Sequence, residues 1–367
     1  MKDDNIRGIS RRKMLSSTGK LSLLGAVMPA AAAAAATGMD YKAEATAAIP
    51  PVADMSQNPI DDTTGRELVY SLEQAYGVYK GQRRNHTKGV GARGSFIGNP
   101  EMSRYSCSEL FSGENIDVVA RFSIAGGNPH VADSDPSPRG MALEFRLPNG
   151  ALQHMTMLHT PMFFAAVPKT FFDKFVALTP DPATGKPNPE RFKAWKQTHP
   201  DATAQDDFLA QYPPPPSYAN SAYFSIHTFK FVDSKGDVTM VRWRFEPHDG
   251  VKHISEAVVK DKEDGFLQNA LIERAKRGPI RWEMIVTIGQ PGDPVDNPTV
   301  LYPKDRKEVK AGTLSLDYAA PQEEAGSYGI NFDPLVLAKG IEATDDPILQ
   351  ARSSSYGVSY SRRLRGI

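Results

Sequence analysis

Three short stretches carry side chains whose types and spacing suit chemistry as well as packing. Arg83-Arg84-Asn85-His86-Thr87-Lys88-Gly89 sets a histidine among cations. An imidazole titrates closer to neutral pH than any other side chain, so it can both take and return a proton. Arg121-Phe122-Ser123 places a cation on an otherwise apolar run. Arg352-Ser353-Ser354-Ser355-Tyr356 spaces Arg and Tyr four residues apart, on one face of a helix. A guanidinium beside a phenol favours the phenolate, whose ordinary pKa is about 10. Taken singly, each pattern also fits a bland role: an ordinary hydrogen-bonded histidine, or a surface contact between Arg and Tyr.

The elements that must position these residues follow from periodicity. Leu68, Leu72, Ala75 and Tyr79 recur at helical spacing, predicting a helix over 66–79 that ends just before the histidine stretch. Residues 118–123 and 141–145 read as strands, with Pro148-Asn149-Gly150 as a turn. A helix is expected at 171–178, then a proline-rich stretch over 180–216 with a helical middle near 191–196. Residues 223–233 and 238–246 form a hairpin around Ser234-Lys235-Gly236-Asp237. A helix at 266–277, strands at 280–288 and 312–318, and helical spacing at 346–356 complete the reading. Strands gathered mid-chain between helices predict an α+β fold, an antiparallel sheet closed into a barrel and decorated by helices.

Composition removes several alternatives. With 43 basic and 43 acidic residues among 367, there is no basic excess of the kind a nucleic-acid binder needs. Cys107 is the only cysteine, which excludes an intrachain disulfide, thiolate zinc clusters and cysteine-held iron–sulfur clusters. The glycines of Gly89-Val90-Gly91-Ala92-Arg93-Gly94 neither end a strand nor open a helix, so a turn-and-bulge role is expected instead of a phosphate loop. Glu323-Glu324 reads as a solvated loop, not a catalytic acid pair.

The first 36 residues read as an export signal. Ser10-Arg11-Arg12-Lys13 precedes a short apolar run, then Pro29 and alanines 30–36. The paired arginines indicate the twin-arginine route, hence a protein carried by that export machinery into the periplasm or beyond. That segment holds six basic and two acidic residues, so its removal leaves a mildly acidic chain with no transmembrane stretch. Residues 37–62, rich in Ala, Pro and Asp, read as a flexible arm before a folded unit at 63–367.

Seven motifs, in order, carry a family resemblance. They are R-x-x-H-x-K-G at 83–89, R-F-S at 121–123, A-D-S-D-P-S-P-R-G at 132–140, T-P-M-F-F at 160–164, H-T-F-K at 227–230, L-Q-A-R-S-S-S-Y at 349–356, and Arg363-Leu364. From about 76 to 364 the chain resembles the haem catalase superfamily, especially its short members, the catalase-related peroxidases. The resemblance implies a catalase-like barrel without the C-terminal helical or flavodoxin-like extensions, and haem b as cofactor. It implies Tyr356 as the iron ligand, assisted by Arg352, since tyrosine is the catalase axial ligand. It further implies His86 as general base and then acid toward peroxide, with Ser123 fixing its tautomer. Arg83, Arg121 and Arg363 are implied partners of the haem propionates, and Phe164 and Phe171 are candidates to pack on the haem face.

Two positions depart from the family pattern. Larger catalases carry paired asparagines before T-P-x-F-F, one amide of which helps hold peroxide; here Leu158-His159 stands there. A valine usually precedes the distal histidine; here it is Asn85. Losing the positioning amide predicts a peroxidase that uses an organic electron donor and dismutes peroxide weakly. The substrate is then hydrogen peroxide, with organic hydroperoxides as a further class. His159 is an alternative donor in place of that amide. Kept open beside this reading are an efficient minimal catalase, an isomerase or lyase of fatty-acid hydroperoxides, and a haem-carrying barrel without activity. A monomer or homodimer is expected.

Overall fold

The computed structural model describes residues 63–367. The export signal at 1–36 and the arm at 37–62 therefore lie outside the described residues. Ten strands, all paired antiparallel, form one sheet. The first meander is β1 (Gly89–Gly98), β2 (Asn115–Ile124), β3 (Arg139–Arg146) and β4 (Leu152–Leu158). The second runs through β5 (Tyr223–Phe224), β6 (Phe229–Val232), β7 (Val238–Pro247), β8 (Ile280–Ile288) and β9 (Glu308–Pro321). β4 pairs with β5, β5 with β7, β7 with β8, β8 with β9, and β9 returns to β1, so eight strands close a barrel. β6 and β10 (Ile341–Ala343) extend from β7 outside that ring. Register shifts at Arg93/Gly94 and Met284/Ile285 supply the irregularities by which a sheet curls shut.

Strand alternation divides the barrel wall into two faces. Phe96, Phe122, Phe145, Phe245 and Trp282 point inward and are essentially inaccessible to solvent, with Phe122 stacked on Trp282 at 5.7 Å. Truncating such a ring to alanine costs about 3–5 kcal/mol. The interior is thus a packed core. The residues with chemistry lie on the opposite face of β1–β4, where cross-strand register forms rows: Gly89, Ser123, Gly140 and Leu158 in one, Gly91, Arg121, Ala142 and Thr156 in the next.

Helices cover that outer face. α1 (Gly65–Tyr76) starts on a capping box in which Glu67 accepts from the Thr64 N–H at 2.7 Å, and it buries Leu68, Val69 and Leu72. α2 (Pro168–Leu178) and α3 (Pro189–Thr198) build a second apolar cluster in which Phe175 and Trp195 join Phe164, and α4 (Thr203–Gln211) follows them. α5 (Glu256–Lys260) and α6 (Phe266–Ala275) lie elsewhere, and α7 (Pro347–Leu364) packs on α1.

Two expectations change. The glycine-rich run at 89–94 is not a turn but the start of β1, a central strand; its bulge falls at Arg93/Gly94. The expected strand over 223–233 breaks at Ser225–Thr228, where Ile226 adopts a φ of 55°. Ser225 Oγ accepts from the Trp243 N–H at 3.2 Å and donates to the His227 carbonyl at 2.9 Å, replacing ladder bonds across the break.

Candidate functional site

A cavity of about 3020 Å³ lies between the outer face of β1–β4 and helices α1, α2 and α7. That is about three times the upper end for ordinary small-molecule sites, room for a large prosthetic group and a substrate together. Of the expected site residues, His86, Asn85, Ser123, Arg83, Arg121, Phe164, Phe171, Arg352, Tyr356 and Arg363 all line it.

His86 sits between α1 and β1 with a φ of 53°, a left-handed value uncommon outside glycine. Asn85 braces it: its Oδ1 accepts from the N–H groups of His86 at 2.9 Å and Gly126 at 2.8 Å. Asn85 thus shapes the backbone beneath the imidazole. His86 Nδ1 lies 2.9 Å from Ser123 Oγ. With the proton on Nδ1, donated to Ser123, the Nε2 lone pair is left free to accept one. Gly140 makes room for this ring, because a Cβ there would come within 3.0 Å of His86 Cε1 and 3.1 Å of Ser123 Oγ. Burial, then the charges of Arg121, Arg352 and Arg83, pull the imidazole down to about 3. It is a neutral base throughout the physiological range.

Tyr356 and Arg352 stand one turn apart on α7, and Arg352 Nη2 donates to the Tyr356 hydroxyl at 3.0 Å and to Thr156 Oγ1 at 2.7 Å. The start of α7 is pinned by Asp346, whose carboxylate accepts from the Ile348 and Leu349 N–H groups. The same carboxylate bonds His227 Nδ1 at 2.6 Å, with both side chains fully buried. His227 and Asp346 escaped the residue-by-residue reading although H-T-F-K marks the former; the break in the β5–β6 strand is what brings His227 to the cavity wall.

The arginines define what the cavity accepts. Arg83 donates to the carbonyls of Ser327, Tyr328 and Ile330; Arg121 donates to Gln322 Oε1 and to the carbonyls of His86 and Thr87. Arg363 makes long bonds, 3.3 and 3.4 Å, to the Gly329 and Ile330 carbonyls and lies against the Tyr360 ring. No ion pair to any of these three, or to Arg352, occurs among the described residues. Burial and mutual repulsion pull Arg83 down to about 8 and Arg121 to about 10. Among the described residues, Arg352 Nη1, Arg363 Nη1 and His227 Nε2 are buried without a hydrogen-bond partner. Unpaired buried cations are costly. Cations without carboxylate partners suit an anionic group entering the cavity, and the residues present therefore fit haem with its two propionates.

One expected residue does not belong. His159 faces away from the cavity: its Nδ1 accepts from the Arg139 N–H at 3.0 Å, and its ring meets Phe208 edge-on. The pleat of β4 explains this. Thr156 and Leu158 share the outer face, so Leu158 lines the cavity and the next residue turns back. No side chain from this pair supplies a hydrogen-bond donor to the cavity.

Comparison with known proteins agrees with this geometry. The catalase family matches residues 80–367. A catalase-related peroxidase of Synechococcus elongatus is 48% identical over 304 residues, covering 83% of this chain and 90% of its own length. A catalase-related peroxidase of Mycolicibacterium paratuberculosis is 29% identical, over 82% of this chain and 95% of its own. Among solved structures, catalase A from Saccharomyces cerevisiae superposes with a TM-score of 0.72 over 78% of this chain and 62% of its own, at 24% identity, a likeness of fold. Given this match to most of its length, the chain belongs to the catalase family of haem-dependent enzymes.

Proposed function

We propose that this protein is a haem b peroxidase that reduces hydrogen peroxide, and organic hydroperoxides as a further class, at the expense of an organic electron donor. It is an oxidoreductase of the catalase family, and the relatives of similar length are catalase-related peroxidases. One observation carries the reading: a neutral, serine-held imidazole and an arginine-assisted phenol line the same cation-ringed cavity.

When bound, haem supplies a redox-active iron at which the peroxide O–O bond is cleaved. Tyr356 would ligate that iron, with Arg352 donating a hydrogen bond to the phenol oxygen. Arg83, Arg121 and Arg363 would pair with the propionates, and Phe164 and Phe171, stacked at 5.6 Å, would pack on the ring. His86 Nε2 takes a proton from the peroxide and returns it to the departing oxygen, so that water leaves instead of hydroxide. Ser123 holds Nδ1 through both transfers, and Asn85 and Gly140 hold the ring's place.

Dismutation asks more of the cavity, because a second peroxide must be held for two-electron oxidation. Leu158 offers that peroxide no hydrogen bond, and His159 is turned away, which supports a donor-dependent peroxidase over an efficient catalase. The leader at 1–36 supports twin-arginine export to the periplasm, and the working form is a monomer or homodimer. Among the described residues no helix is long and apolar enough to cross a membrane. Purified holoenzyme given peroxide should consume it far faster with a phenolic donor present than without. Rapid, sustained oxygen release without donor would replace this reading with a minimal catalase.

A further inference from the structure

Part of the cavity wall lies beyond the residues assigned to the cofactor. Where α1 meets α2, Tyr76 and Phe175 line the cavity with ring centroids 5.7 Å apart. Beside them Lys174 Nζ rises to 3.7 Å from the centroid of Phe164 and 5.5 Å from that of Trp195. Lys174 makes no ion pair or hydrogen bond among the described residues. Its neighbours do: Lys169 pairs with Asp173 at 2.7 Å, and Lys196 holds Asp206, the carboxylate whose charge reaches Lys174, at 2.5 Å. Burial pulls Lys174 down to about 8, so it is still an ammonium at neutral pH.

A cation enclosed by ring faces gains from their quadrupoles but keeps donors that only an anion or water can satisfy. This chamber also connects to the reactive side of the cavity. The Tyr76 ring lies 3.7 Å from where a Gly126 Cβ would be, and Gly126 donates to Asn85, the residue before His86. An anion on Lys174 would thus leave its apolar body among aromatic rings within the same cavity as His86.

We propose that this chamber seats the reducing co-substrate and selects an aromatic monocarboxylate bearing a phenol, its ring against Tyr76 and Phe175 and its carboxylate on Lys174. This rests on the peroxidase reading and names the donor class for it. The balance is simple: two phenols each give one electron and one proton, and one hydrogen peroxide becomes two waters.

The test uses holoenzyme and a pair of donors, 4-hydroxycinnamate and its methyl ester, which differ in the carboxylate charge. Wild type should prefer the acid in kcat/KM. Lys174→Met should reduce that preference by about ten- to a hundredfold, the scale of a hydrogen bond to a charged group, and Lys174→Arg should restore most of it. Equal use of acid and ester by wild type, or a preference unchanged in Lys174→Met, overturns the proposal. Calorimetric binding of benzoate, which carries no phenol to oxidise, separates the two readings. Benzoate bound through Lys174 without phenol oxidation would sink the peroxidase reading and leave the anion site standing. Phenol oxidation without acid preference or benzoate binding would do the reverse.

Discussion

The arginines of the outer surface and those of the cavity are the same side chain in opposite circumstances. Arg274 grips Asp249 through two bonds of 2.6 and 3.0 Å, and Arg306 grips Asp293 likewise at 2.7 and 2.9 Å. Their hydrogen-bonded carboxylates push both guanidinium pKa values upward. Among the described residues Arg83, Arg121 and Arg363 have no such hydrogen-bonded carboxylate, and burial pulls all three downward. The surface set is complete within the chain. The cavity set is complete only with a partner from outside it, which is why a chain with equal numbers of acidic and basic residues can still hold a strongly anion-seeking pocket.

The contrast can be broken in graded steps. The largest effect belongs to Tyr356→Phe, which should abolish stable haem retention; a Soret band of undiminished intensity and position would place the iron on another ligand. Next, His86→Ala should keep haem but slow the reaction with peroxide by about two to four orders of magnitude, the scale of general acid–base help. In the wild type that rate should stay level as pH falls from 7 to 5, because His86 is lowered to about 3 and stays neutral. A decline centred near the ordinary imidazole value would show that the cavity cations and burial do not act on His86 as described.

The same depressed pKa fixes the sign of a stability effect. Between about 3 and 6.5 the unfolded chain binds a proton that folded His86 refuses, so this group lowers stability as pH falls through that window. Smaller still, Arg363→Met should weaken haem affinity by about ten- to a hundredfold. It should leave the unfolding midpoint of the apoprotein unchanged or raised, since it removes a buried charge that lacks a counterion. On the surface, Arg244→Met, which breaks bonds of 2.6 and 2.9 Å to Glu308, should lower stability by only about 0.2–1 kcal/mol and leave haem binding alone. If Arg363→Met instead destabilised the apoprotein more than Arg244→Met, the distinction between the two arginine sets would fail.

Sequence periodicity anticipated what depends on alternation and spacing. The apolar run within β2, the strand at β8 and the one-turn separation of Arg352 and Tyr356 are all local signals, and they stand where expected. What escaped depends on distant contacts. β1 looks like a loop because its glycines lack β propensity, yet they are demanded by neighbours: a Cβ at Gly91 would strike Ser327 Oγ at 2.5 Å. α4 carries no side-chain cap to announce it. The orientation of His159 depends on β4, which the residues around it do not announce; the two-residue period of that strand puts Leu158 rather than His159 on the cavity side.

The double use of Asp346 has a consequence for where the iron ligand can stand. This carboxylate fixes the first turn of α7 and, through His227, ties that turn to the strand break after Phe224. Tyr356 follows on the same unbroken helix, so the phenol's height and azimuth are gauged from an anchor almost three turns away. Each helical residue advances about 1.5 Å and turns about 100°. A single residue inserted between anchor and phenol would swing the hydroxyl out of the cavity altogether, although every side chain of the site would remain in the chain.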